Sequence, residues 1–179
     1  GVMVVCNSFV KFSTAYTDRD GYYSMEKAFS TDVRYRLVFK NEKGFGIGLN
    51  LILLPASVST LGKAGPEGVT MTITEDSDEK LFKRCVVNNA AYDYYSRCVT
   101  GDMGIAAPPS DLRIWLFYNL EASSAVMLHH GTILESDLIG KYLGIYTDLI
   151  RVFLPDITLG VKGKDSYRDL YDTTCHELA

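Results

Sequence analysis

Thr74-Glu75-Asp76-Ser77-Asp78-Glu79-Lys80-Leu81-Phe82 is where the hydrophobic period of this chain changes. Upstream, β-branched and aromatic residues come in short runs. Downstream, apolar residues recur every three or four positions, the spacing of one face of a helix. Asp76 followed by Glu79 matches a capping box, in which an N-cap acceptor and a carboxylate three residues on satisfy free amides of the first turn. The spacing predicts a helix over 77–98, with Leu81, Phe82, Cys85, Val86 and Tyr92 at helical intervals and a stop near Gly101.

Working back towards the start, residues 2–74 carry β-structure. Runs rich in Val, Phe, Tyr and Thr fall at 2–5, 9–17, 22–25, 35–40, 46–53 and 69–74, a composition that suits a pleated, half-buried surface. Asp18-Arg19-Asp20-Gly21 and Asn41-Glu42-Lys43-Gly44 are turns, because Asp and Asn side chains bond the amides that follow and Gly accepts positive φ. The 61–68 stretch is a Gly/Pro loop before the last run. Short strands at this spacing predict a small antiparallel β-sandwich over residues 1–75.

Working forward, Pro108-Pro109 interrupts the chain, 112–118 and 125–128 have the pattern of strands, and a helix over 137–153 stops before Pro155. A last helix takes Asp165 or Ser166 as its N-cap and runs to the end. The expected fold class is α+β, with the sandwich over 1–75 followed by an α+β segment over 76–179.

Composition bounds the function. At 179 residues, 47% hydrophobic and 22% charged, the chain has the make-up of a globular protein with one large or two small domains. Its net charge is −4 and Lys and Arg do not cluster, so nucleic acid and polybasic membrane attachment are not expected. The longest apolar stretch, 47–54, is broken by Gly48 and Asn50 and falls well short of the roughly 20 residues that span a bilayer. Gly1-Val2-Met3-Val4-Val5 has neither the basic residues nor the cleavage site of a signal peptide. Twelve Tyr and eight Phe give a flavour common among exported proteins.

Cys6, Cys85, Cys98 and Cys175 make no C-x-x-C pair and no zinc-knuckle spacing. On one continuous helix Cys85 and Cys98 stand about 20 Å apart, too far for a disulfide. The expectation is four small apolar side chains in a core.

Several motifs have plain structural explanations. Gly44-Phe45-Gly46-Ile47-Gly48 has its third Gly one residue early for a dinucleotide loop and no helix after it, so close strand packing accounts for it better. Gly62-Lys63 and Gly140-Lys141 lack the remaining residues of a phosphate-binding loop, and no G-x-S-x-G elbow is present. Asp18-x-Asp20-Gly21 lacks the distal Glu of a calcium loop. His129-His130 ends a strand pattern, where neighbouring rings point to opposite faces and do not share a metal. A reading in which one of them is a general base requires a pocket around it.

The tail carries more. At 100° per residue, Tyr167, Leu170, Tyr171, Thr174 and Leu178 share one face of the last helix, while Asp165, Asp169, Asp172 and His176 share the other. The ending Tyr171-Asp172-Thr173-Thr174-Cys175-His176-Glu177-Leu178-Ala179 resembles the opening of the H-E-x-x-H helix of zinc peptidases. That spacing puts two imidazoles at i and i+4 on one face, with the Glu between them as base for a metal-bound water. Thr17-Asp18-Arg19-Asp20-Gly21-Tyr22-Tyr23 is similar to the strand-turn-strand signature of the transthyretin-like, carboxypeptidase-regulatory domain that accompanies many secreted peptidases.

Together the resemblances imply a secreted bacterial zinc metallopeptidase of the gluzincin type, seen as its N-terminal part. They imply His176 as first zinc ligand, Glu177 as catalytic base, zinc as cofactor, a peptide or protein substrate, and an extracellular or cell-surface location. The second His would be the next residue and a third ligand would lie further on. One imidazole does not hold a catalytic zinc, so the 179-residue chain alone is expected to be inactive. The alternative is a non-enzymatic surface module that binds protein or glycan through its sandwich.

Overall fold

In the computed structural model, residues 1–48, 56–101, 103–125, 154–163 and 166–179 are described. β1 (Met3–Ser8) turns back into β2 (Lys11–Tyr16) through a two-residue loop, Phe9-Val10, with Ser8 opposite Lys11. β3 (Val33–Val38) pairs with the other edge of β1, and β5 (Val58–Ala64) pairs with β3, so the first sheet runs β2-β1-β3-β5 and is antiparallel throughout. Alternation sets its inner face: Val4 and Cys6 from β1 and Val33, Tyr35 and Leu37 from β3 are buried. Between Tyr35 and Arg36 the register skips Leu61, and Gly62 takes φ 109 at this bulge.

Beyond β3 the chain makes a second hairpin. Asn41 Oδ1 accepts from the amides of Lys43 (3.0 Å) and Phe45 (3.2 Å). Gly44 stands at φ 96, and a Cβ there would lie 2.6 Å from the Ser110 carbonyl oxygen. The returning strand β4 (Gly46–Ile47) bonds to Phe39 and Ser57 on one side and runs parallel to β6 (Arg113–Phe117) on the other. A strand from the first seventy-five residues thus sits at the edge of the second sheet, whose order is β4-β6-β8-β7. β8 (Ile157–Gly160) runs parallel to β6, and the short edge strand β7 (Ser124–Ala125) is antiparallel to β8. Asp156, 1% exposed, locks this register: its amide donates to the Arg113 carbonyl and its Oδ2 accepts from the Arg113 amide, both at 2.9 Å.

α1 (Glu79–Thr100) starts two residues later than the spacing predicts. Its N-cap is Asp78, whose Oδ1 accepts from the Leu81 amide at 2.9 Å, and not Asp76. The residues before it are held in a separate turn, in which the Thr74 amide donates to Ser77 Oγ and the Ser77 amide to Thr74 Oγ1. Glu79 pairs forward with Lys83. The stop is as expected, with Gly101 at φ 80 and its amide returning to the Arg97 and Cys98 carbonyls.

The α+β class holds, with an antiparallel first sheet. Two expected strands are absent: 22–25 and 69–74 are irregular, tied together where Tyr23 Oη donates to the Val69 carbonyl (3.2 Å) and accepts from the Val69 amide (3.0 Å). Two strands escaped the sequence reading, β5 because Gly62 marks a bulge and not a loop, and β8 because a four-residue run shows little period. The 137–153 helix and most of the 125–128 strand lie outside the described residues. A single buried cluster runs from Val4 and Leu37 in the first sheet, through Phe45, Ile47 and Val87, to Leu159 and Leu170.

Candidate functional site

The His-Glu pair lies on α2 (Tyr167–Leu178), capped by Ser166, whose Oγ accepts from the Asp169 amide at 3.2 Å. Leu170, Thr174 and Leu178, spaced four apart, form the buried stripe. Thr174 belongs there because its hydroxyl donates to the Leu170 carbonyl at 2.7 Å, which leaves its methyl group for the core. α2 packs along α1 and also touches β7 and β8. Tyr171 fixes its rotation, donating from its hydroxyl to Asp93 Oδ2 on α1 at 3.0 Å. Burial, then that hydrogen bond and the Asp93 charge, push the Tyr171 phenol up to about 12, so it remains a donor at neutral pH.

This docking leaves Asp169, Asp172 and His176 exposed and Glu177 half-buried, with His176 in the last helical turn. Tyr167 departs from the helical-wheel assignment: the residue stays 58% exposed, beside a small groove between the helices lined by Phe82, Val86 and Tyr171. Cys175, just before His176, is pushed up to about 11 by burial, with the Asp172 and Asp93 carboxylates adding to the effect. It is a neutral thiol at pH 7. All four cysteines are free, with Cys6 and Cys98 buried and Cys85 and Cys175 partly so.

Among the described residues no group of three His, Cys, Asp or Glu side chains is arranged to hold a metal. The donor set around His176 therefore does not by itself fit zinc. His129, His130 and Gly140-Lys141 lie outside the described residues. Asp18 Oδ1 accepts from the Asp20 and Tyr22 amides, both at 2.9 Å, as an ordinary turn requires. Gly48, at φ 122, abuts Ser57 so closely that a Cβ would collide with its hydroxyl, which agrees with strand packing for that glycine cluster. No described helix is long and apolar enough to cross a membrane.

A second concave feature was not anticipated. A cleft of about 1560 Å³ opens between the first sheet, the 65–73 loop and α1. Asn88, 2% exposed, lines it from the helix, its Nδ2 donating to Asn89 Oδ1 at 3.3 Å while its own Oδ1 has no partner. Two consecutive Asn inside a helix are poor helix formers, and that was the available sequence signal.

Compared with protein-family models, curated proteins and solved structures, the chain gives no match.

Proposed function

We propose that this chain is the N-terminal part of a zinc metallopeptidase in which α2 is the first half of the active-site helix. The observation that carries the reading is the setting of His176-Glu177. The pair closes an amphipathic helix docked through Leu170, Thr174 and Leu178, which leaves the His176 ring in solvent. A helix held on its opposite face by a core fixes the backbone from which the imidazole projects, and a metal site is more precise on such a rigid element than on a loop.

In this reading His176 supplies one imidazole and Glu177 takes the proton of the attacking water. A second imidazole one helical turn on, together with a third ligand, would complete the site, and zinc would bind only then. β7, adjacent to α2, is a short edge strand with exposed side chains. Among the described residues its outer edge has no strand partner, and such an edge suits an extended peptide, which can add to a sheet by main-chain hydrogen bonds. Export to the cell surface or medium belongs to the same proposal.

The test is the residue encoded after Ala179. Histidine there completes the helical spacing and supports the reading. Any residue that cannot ligate zinc sinks it.

A further inference from the structure

The cleft beside α1 shares no residue with α2 and does not depend on the peptidase reading. Its charged lining is unbalanced: Asp18, Asp20, Glu42, Glu67 and Asp93 face Arg19, Arg97 and the Gly1 ammonium, which stands 3.9 Å from Glu42. Low-dielectric walls focus such an excess into a field that attracts cations. Rings of Tyr16 and Tyr22 also line it, and aromatic faces attract guanidinium and ammonium groups, as Tyr92 at the same rim already holds the Lys43 ammonium 5.3 Å from its ring centre. The floor is apolar, with the partly buried Leu61 from the first sheet and Ile73 from the following loop lying over the buried Val4 and Leu37. At about 1560 Å³ the space exceeds the roughly 300–1,000 Å³ typical of small-molecule sites.

Asn88 supplies an independent sign. A buried amide oxygen without a partner is costly, and turning the amide over only changes which of its atoms is orphaned. The terminal torsion of Asn is soft, so a modest turn presents Oδ1 to a donor in the cleft. A ligand with N–H donors would satisfy it.

We infer that this cleft binds an extended peptide segment bearing Lys or Arg, with its cationic side chains among the carboxylates and tyrosines and its apolar side chains on the sheet. Apolar residues alternating with basic ones fit the division between floor and rim.

The test uses the whole chain and fluorescein-labelled hexapeptides alternating Leu with Lys or Leu with Glu, read by fluorescence anisotropy. The Lys peptide is expected to bind, more weakly as salt rises, and the Glu peptide is not. Asp20→Lys with Glu67→Lys should weaken binding about tenfold, whereas Asp32→Lys with Asp172→Lys, which changes net charge equally but outside the cleft, should leave it unchanged. Asn88→Leu should weaken binding several-fold while stability holds or rises, because an unpaired buried polar group has been removed. Equal binding of the two peptides, equal effects of the two double variants, or unaltered binding by Asn88→Leu in a folded protein would overturn the inference. So would n-butylamine displacing the peptide at equal concentration, which would point to a small amine as the ligand.

Discussion

Leu170→Ala tests whether α2 is seated as described. Leu170 is 1% exposed in the buried stripe facing α1. Truncation removes three carbons from the core, worth about 2.4 kcal/mol at about 0.8 kcal/mol per group. Incomplete closure of the cavity adds to this, for a total of about 3–4 kcal/mol. That is a large part of the roughly 5–15 kcal/mol that stabilises a typical domain. At this chain length Tm should fall by roughly 6–16 °C. The assay is urea unfolding followed by far-UV circular dichroism and by fluorescence of Trp115, the single tryptophan, which lies on β6. The two transitions should coincide and shift together, since Leu170 and the neighbours of Trp115 belong to one buried cluster. His176→Ala, at an exposed position, should stay within about 0.5 kcal/mol of wild type. A loss below about 1 kcal/mol for Leu170→Ala would show that α2 is not packed on this core.

Three further outcomes follow from local chemistry. Asp78→Ala should cost about 1 kcal/mol in urea unfolding and Asp76→Ala almost nothing, because only the Asp78 carboxylate caps α1; the reverse order would restore the capping box expected from sequence. Gly44→Ala should destabilise by about 2 kcal/mol or more, combining a positive φ with contact against the Ser110 carbonyl, and a neutral result would mean the 41–44 turn is looser than described. Burial raises both Cys85 and Cys175 from 9.0 to about 11. The folded state therefore holds these protons more tightly than the unfolded state, so their contribution is complete below pH 9 and lost as pH rises from 9 to 11. The urea midpoint should fall across that window, and less steeply in Cys85→Ala; an equal slope in the variant would argue against a buried thiol there.

Much of the architecture was legible because periodicity reports burial. The change of period near Thr74, the burial of Cys6, the Gly101 stop and the stripe at Leu170, Thr174 and Leu178 all stand in the structure. What escaped depends on long-range partners. Gly62 resembles a loop residue until β3 is placed beside it, where it becomes a bulge. Asp76 and Asp78 are equally good caps in one dimension, and the mutual Thr74–Ser77 bonds decide between them. The pairing of β4 with β6 joins residues more than sixty positions apart, which no local pattern announces. For the candidate site, helical spacing placed His176 on the polar face, where it is exposed, whereas Glu177, half-buried, followed only from the resemblance to the zinc-peptidase helix. The cleft escaped because its walls come from separate parts of the chain and only its Asn88-Asn89 pair leaves a local mark.

The measurement that bears most directly on the proposed function is zinc stoichiometry, by titration calorimetry, of the 179-residue chain and of the longer chain that the proposal requires. One zinc per extended chain, abolished by His176→Ala and retained by Glu177→Gln with loss of peptide hydrolysis, is the predicted result. The 179-residue chain should bind none tightly. An extended chain that binds no zinc, or binds it equally well as His176→Ala, would contradict the account.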